Sequence, residues 1–190
     1  FNGVIGRTFI RILRKIESRI VSHAKWTNFV SPGFLTYPHI RLSHNENNLF
    51  TNGIDKIFID NRNQLFDTQK PKHTFKHPIK IVYAGNIGVG QGLETIVIPV
   101  AKYFQDKIQF HLIGDGSSAD KILTEIQKNN LENVKLISPM PRRKILKYYN
   151  NADLLFIHLN DVHAFEKVLP SKIFEYGSFN KPILEIGRAH

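Results

Sequence analysis

The run Pro170-Ser171-Lys172-Ile173-Phe174-Glu175 sets a cation and a carboxylate three residues apart behind a Pro-Ser start. On a helix that spacing puts Lys172 and Glu175 on one face, with Pro170 and Ser171 where first-turn and N-cap residues belong. Free N–H groups at a helix start and a nearby ammonium attract phosphate. A carboxylate beside them accepts hydrogen bonds from the paired hydroxyls of a sugar. Together they form a clamp for a nucleotide diphosphate and its ribose, with an ordinary helix and one surface ion pair as the plain alternative.

A second cluster is Gly85-Asn86-Ile87-Gly88-Val89-Gly90-Gln91-Gly92, whose glycines let backbone N–H groups approach a bulky anion. Its G-x-x-G-x-G-x-G spacing is neither the dinucleotide fingerprint nor a P-loop, and a tight turn without a ligand accounts for it equally. Asp115, between Gly114 and Gly116, suits a turn or a hydroxyl contact. Arg142 and Arg143 suit a base or phosphate, or a plain exposed helix start. His158, Asp161, His163 and Glu166 match no closed zinc pattern, so no metal is expected. Without a G-x-S-x-G elbow, a Ser/His/Asp triad has no support.

The elements that must position these residues alternate strictly from Ile79 onward. Strands are predicted at 79–84, 108–113, 134–137, 153–159 and 182–186, and helices at 92–104, 117–129, 142–150 and 171–178, with Pro99 kinking the first helix and Ser117 or Ser118 capping the second. This order implies an α/β fold, a Rossmann-like parallel sheet flanked by helices. Ligands of such sheets bind beyond the carboxyl ends of the strands, where the loops 85–92, 114–117 and 160–171 fall. Upstream, residues 4–25 have the apolar spacing of an amphipathic helix with Arg7, Arg11, Arg14 and Lys15 on its other face. It suits a membrane surface, a partner, or plain packing on the protein's own core. A short strand at 26–31, a short helix at 34–44 and a strand-then-turn at 50–55 follow. The polar residues 56–78, broken by Pro71 and Pro78, make an inter-domain linker.

At 190 residues the chain is one large domain or one and a half smaller ones. It has no cysteine, hence no disulfide or thiolate chemistry. No apolar run approaches the ~20 residues of a membrane span. The net charge of +10 is +7 over residues 1–78 and +3 over 79–190. No nucleic-acid-binding pattern accompanies that basic half, so nucleic acid is not an expected partner. Nothing at the start reads as a signal peptide, and the lone Met140, the start at Phe1 and an abrupt end at His190 are read as a fragment.

In order and spacing, Tyr83-Ala84-Gly85-Asn86-Ile87-Gly88, Gln91-Gly92-Leu93-Glu94, Leu112-Ile113-Gly114-Asp115-Gly116, Tyr148–Asp153 and Pro170–Tyr176 resemble the nucleotide-sugar-binding half of a family 4 retaining glycosyltransferase. The likeness is strongest to bacterial transferases for amino-deoxy sugars such as N-acetyl-fucosamine in O-antigen or capsule assembly. It implies the C-terminal half of a two-Rossmann, GT-B fold at 79–190, a linker at 56–78, and the end of the N-terminal acceptor domain at 1–55.

The resemblance implies a nucleotide-sugar donor, with UDP the expected carrier, and no cofactor or metal. The acceptor would be a lipid-linked saccharide of lipopolysaccharide or capsule biosynthesis, met in the cytoplasm, with peripheral contact at the inner membrane through helix 4–25. Donor contacts would come from Gly85, Asn86, Gly88, Gln91, Arg142, Ser171, Lys172 and Glu175. Glu175 matches the second acid of the family's paired glutamates, which holds the ribose. The first acid's place is taken by Lys167, and the adjacent Glu166 becomes the candidate sugar contact. The diphosphate-binding Arg and Lys of many members are replaced by Asn86–Ile87 and Gln91, which leaves Lys172 as the phosphate cation. Catalytic residues of the acceptor domain are not identifiable, and the fragment alone is expected to be inactive. A nucleotide-sugar epimerase of the same architecture and a non-enzymatic basic binding module are the competing readings.

Overall fold

The computed structural model describes residues 4–36, 46–65 and 78–187. The chain divides into two compact units, one of residues 1–52 and 166–169, the other of 53–165 and 170–190.

In the first unit, α1 (Val4–His23) leads to a two-stranded parallel sheet of β1 (Trp26–Phe29) and β2 (Glu46–Leu49), with Trp26 opposite Glu46 and Phe29 opposite Leu49. The strand expected at the start of 50–55 lies earlier, at Glu46–Leu49. Asn28 explains where it stops: its side chain accepts from the Phe50 N–H at 2.9 Å and donates to the Phe50 carbonyl at 3.3 Å, so both main-chain groups leave the ladder. A 3-10 turn at Pro32–Thr36 replaces the start of the helix expected at 34–44, and residues 37–45 lie outside the described residues. On α1, Phe9, Ile12, Leu13, Ile16 and Ile20 all stand exposed.

The second unit is the alternating α/β half. Its sheet consists of β3 (Ile79–Ala84), β4 (Ile108–Ile113), β5 (Val134–Ile137), β6 (Leu154–Leu159) and β7 (Ile183–Gly187), all parallel, in the order β5-β4-β3-β6-β7. Both faces are covered, as parallel sheets require, and alternate residues of each strand feed two cores. Ile81, Tyr83, Phe110, Leu112 and Phe156 pack with Val97 and Ala101 of α3 (Glu94–Phe104) and Ile122 of α4 (Ala119–Lys128). Val82, Ala84, Ile113, Leu155 and Ile157 pack with Tyr149 of α5 (Arg142–Asn150), Tyr176 of α6 (Lys172–Tyr176) and Phe179.

The segment predicted as a linker opens with ten helical residues. Lys56–Leu65 forms a helix, here α2, and Phe58 is 1% exposed in the second core against Tyr149 and Phe179. The apolar residues Ile57 and Phe58 inside a polar stretch are what pull it down. The rest of the linker, 66–77, lies outside the described residues. Helix α3 continues past Pro99, which has no N–H to donate, and ends at Phe104. Ser118 stands at the N-cap of α4 without a side-chain cap bond.

Candidate functional site: the crevice at the strand ends

Strand order makes β3 the turning point: the chain leaves it toward β4 and β5, then returns to its other side as β6. Ligand crevices open at such a switch, beyond the carboxyl ends of the strands. Loops 85–92, 114–118 and the residues after β6 meet there, stitched main chain to main chain. Gly85 N–H donates to Ile113 O at 2.8 Å, Ile87 N–H to Asp115 O at 2.8 Å, and Ser118 N–H to Ile87 O at 2.9 Å. From the other side Asn160 N–H donates to Gly90 O at 2.9 Å and its side-chain amide to Val89 O at 3.1 Å. His158, buried on β6, bonds through Nδ1 to Gln91 O, so it is a packed strand-end histidine.

The glycine-rich loop offers fewer free donors than its sequence suggested. The N–H groups of Gly85, Ile87, Gly88, Gln91 and Gly92 are all bonded within the protein, that of Gly88 to Gln91 Oε1 at 3.2 Å. Gln91 Oε1 also accepts from the Asn86 amide at 2.8 Å, so Gln91 and Asn86 brace one another. Two of the glycines serve close approach. Gly85 has φ +151, and an added Cβ there would strike the Lys172 ammonium; Gly114 has φ +145, and its Cβ would strike the Gly85 carbonyl. Asp115 is a turn former, accepting from the Gly116 N–H at 2.7 Å.

Lys172 lies across Gly85, and its Nζ is 5.7 Å from the centroid of the Tyr83 ring. Burial pulls its ammonium below the usual lysine range, Glu175 pushes it back, and Arg142 lowers it further. No ion pair joins Lys172 to Glu175. Arg142 is paired with Asp55, the residue just before α2. The second unit therefore brings together Gly85, Asn86, Gly88, Gln91, Arg142, Ser171, Lys172 and Glu175 around one set of strand ends. Glu166 lies in the 3-10 turn His163–Lys167 and is counted with the first unit.

The helix behind the clamp is shorter than its sequence suggested. It covers five residues, and Ser171 occupies the N-cap in helical backbone conformation with no side-chain cap bond. With so few aligned peptide dipoles, the ammonium is the stronger attraction for an anion.

Two residues that hold this geometry fall inside the runs that carry the family resemblance but were not among the expected site residues. Tyr83 OH donates to Asn86 O at 2.6 Å, tying the loop to the end of β3. Tyr176, fully buried, accepts from Ala84 N–H and donates to Phe156 O, both at 3.3 Å, bridging β3 and β6. Burial pushes both hydroxyls well above the usual tyrosine range, so they stay protonated donors. Position within those runs is their sequence signal: Tyr83 stands two residues before the loop's first glycine, and Tyr176 ends the clamp helix.

A doubly covered parallel sheet with its crevice at the switch point is one half of a GT-B glycosyltransferase architecture, and solved structures share it. Over residues 66–186 the sequence matches the family described as "Glycosyl transferases group 1", and the chain belongs to that family. An Anabaena protein, HepE, solved with UDP and glucose, is 17% identical, with TM-score 0.64 over 96% of this chain and 49% of that one. Sucrose-phosphate synthase from Thermosynechococcus elongatus is 17% identical, with TM-score 0.62 over 90% of this chain and 43% of that one. The lipopolysaccharide outer core galactosyltransferase WaaB is 14% identical, with TM-score 0.56 over 86% and 43%. The chain thus spans about half or less of these proteins, and at such identities the likeness is one of fold. No curated protein matches the sequence. Among the described residues no helix is long and apolar enough to cross a membrane.

Proposed function

We propose that the chain is the donor-binding half of a retaining, metal-independent glycosyltransferase acting on a UDP-linked hexose or hexosamine. The observation that carries this reading is the Lys172 ammonium, desolvated, in no ion pair among the described residues, and laid over Gly85 at the switch point of the sheet. A diphosphate placed there meets an ammonium that no ion pair among the described residues already holds. As the bond from the sugar's C1 to the diphosphate breaks, negative charge builds on the leaving phosphate, and Lys172 with Arg142 stabilises it. Glu175, one turn along α6, accepts hydrogen bonds from the ribose hydroxyls. Gln91, Asn86 and Tyr83 hold the loop that forms the floor. The acceptor hydroxyl attacks from the face the diphosphate leaves, giving retention.

The acceptor in this proposal is a lipid-linked saccharide of bacterial surface polysaccharide, O-antigen or capsule, and the transferred group is an amino-deoxy sugar of the N-acetyl-fucosamine kind. Two similar folds support the direction: one was solved with UDP and glucose, and another is a lipopolysaccharide galactosyltransferase. The exposed apolar stripe of α1, with Arg7, Arg11, Arg14 and Lys15 exposed around it, supports a peripheral place on an anionic membrane surface inside the cell.

Calorimetric titration with UDP tests the donor site. The parent should bind saturably, and Lys172→Met and Glu175→Ala should each weaken binding. Unchanged affinity in both variants sinks the assignment. Steeply salt-dependent DNA binding without UDP binding favours the basic binding module instead. Co-sedimentation with anionic but not neutral vesicles tests the membrane part, which equal pelleting with both would refute.

A further inference from the structure

A second polar site lies at the opposite end of the sheet. Lys80 is the second residue of β3 and Gly85 follows its last, so about five residues at ~3.3 Å each, some ~16 Å, separate this place from the crevice. There Lys80, His111 of β4, and Lys147, Tyr148 and Asn151 at the end of α5 line a cavity of about 280 Å³. The sheet face beneath is apolar at its carboxyl half, with Val82, Ala84 and Ile113 in the core. Toward the amino half the same face turns polar on three adjacent strands. Lys80 pairs in register with Gln109, and His111 with Lys135.

The positive charge has no counter-charge of its own. Among the described residues no carboxylate forms an ion pair with Lys80, Lys135 or Lys147. Asp153 is committed to main chain, accepting from the Lys80 N–H at 2.8 Å. His111 is only 9% exposed, and its ring Nδ1 is buried with no hydrogen-bond partner. Its Nε2 faces Gln109 Oε1 at 3.1 Å; that oxygen only accepts, so Nε2 holds the proton and Nδ1 is bare. A buried polar atom left unpaired costs stability and calls for an explanation. Tyr148 lies edge-on to the imidazole at 5.9 Å, fixing the ring without satisfying the nitrogen.

We propose that this cavity is a binding site for a small phosphomonoester, separate from the crevice at the other end of the sheet. Two ammonium groups match a dianion, and the Tyr148 hydroxyl, the Asn151 amide and the His111 ring match three phosphate oxygens. The volume is that of roughly nine waters at ~30 Å³ each and sits at the small end of ligand pockets. It therefore suits a phosphorylated metabolite, not a nucleotide sugar. Burial, then Lys80 and Lys135, hold the His111 ring below its ordinary value in the free protein. Facing it are Gln109 on its own strand, Lys80 from β3, Lys135 from β5 and Lys147, Tyr148 and Asn151 from α5. None of these is anionic, so a bound dianion reverses the local field and draws a proton onto Nδ1. Above the phosphate's own second ionisation, where the ligand stays a dianion, binding consequently takes up protons onto His111.

The test is calorimetry on the chain with inorganic phosphate and glycerol phosphate as probes, and acetate as the carboxylate control, in two buffers of different ionisation enthalpy. Both phosphates should bind at one site with proton uptake. Lys147→Ala, on the exposed side of α5, should weaken them about tenfold, the usual scale for one charged contact, with an unchanged urea midpoint. His111→Phe should do the same and abolish the proton uptake, and Lys172→Met should leave both affinities as they are. The proposal is overturned if neither phosphate saturates, if acetate binds as well as phosphate, if Lys147→Ala and His111→Phe bind like the parent, or if Lys172→Met abolishes binding.

Discussion

Gly85 and Gly114 provide a paired test of how the crevice is built. Both have positive φ, +151 and +145, so an alanine at either meets the same kind of backbone strain, about 1–3 kcal/mol. They differ in what the new methyl meets. At Gly85 it meets the ammonium and last carbon of Lys172, the free end of a flexible side chain, which swings aside. At Gly114 it meets the carbonyl of Gly85, part of a main chain pinned by the Gly85 N–H to Ile113 O bond, while Gly114 N–H itself bonds to Ile137 O at 3.0 Å. Relief there means separating the β3 and β4 loops and losing one or two hydrogen bonds, each about 0.5–1.5 kcal/mol. Gly85→Ala should therefore cost about 1–3 kcal/mol and Gly114→Ala about 1.5–6 kcal/mol, against a domain stability of order 5–15 kcal/mol. Urea unfolding with a common slope reads this as two different midpoints. UDP titration separates them further, because Gly85→Ala displaces the ammonium and should lose binding while remaining the more stable variant. Equal destabilisation by the two, or a Gly85→Ala protein that binds UDP like the parent, refutes the reasoning.

Phe58→Ala removes a fully buried ring from between Tyr149 and Phe179 and should cost about 3–5 kcal/mol. Amide exchange should then accelerate in α2 and in α5 together, whereas a freely hinged linker would leave α5 unaffected. The pH dependence follows from Lys172, whose pKa lies below 10.5. Between the folded value and 10.5 the unfolded chain binds more protons, so stability should rise with pH across that window. UDP affinity should fall across it as the ammonium deprotonates, and calorimetry over an alkaline pH series with Lys172→Met, which should be flat, checks both the sign and the residue.

The strands of the second unit were legible because each is a short apolar run closed by a turn signal. Ile79–Ala84, Ile108–Ile113 and Val134–Ile137 fall where the periodicity put them. The first unit's second strand was not, because Glu46-Asn47-Asn48-Leu49 has little strand propensity and is held by pairing with β1. Helix α2 was hidden likewise: its mean composition is polar, and tertiary contacts of Phe58 and Ile57 make it part of the core. At the site, the types and spacing of Lys172 and Glu175 marked the clamp. What spacing could not reveal was that the loop's N–H groups are already used, or that Tyr83 and Tyr176 tie the strand ends together. Both depend on which main-chain atoms meet across the sheet, and no residue type records that.

An unpaired, half-buried cation is unfavourable in a resting protein, and the surroundings of Lys172 explain how it is kept. The aliphatic stem packs over a glycine that leaves room for it, the ammonium lies on the Tyr83 ring, and Glu175 raises its pKa without forming an ion pair. Had Glu175 closed onto Lys172, an incoming diphosphate would have to break that pair, and the carboxylate would repel it. Asp55 shows the contrast, since it does close onto Arg142 and damps that charge. The two cations are therefore not equivalent: Lys172 meets a diphosphate with its desolvation already borne by folding, and Arg142 must first give up a partner. Replacing Asp55 with Asn frees that charge and should tighten UDP binding in the parent by less than Lys172→Met weakens it. A larger gain than that loss, in the same titration, would reverse the ranking and make Arg142 the principal phosphate cation.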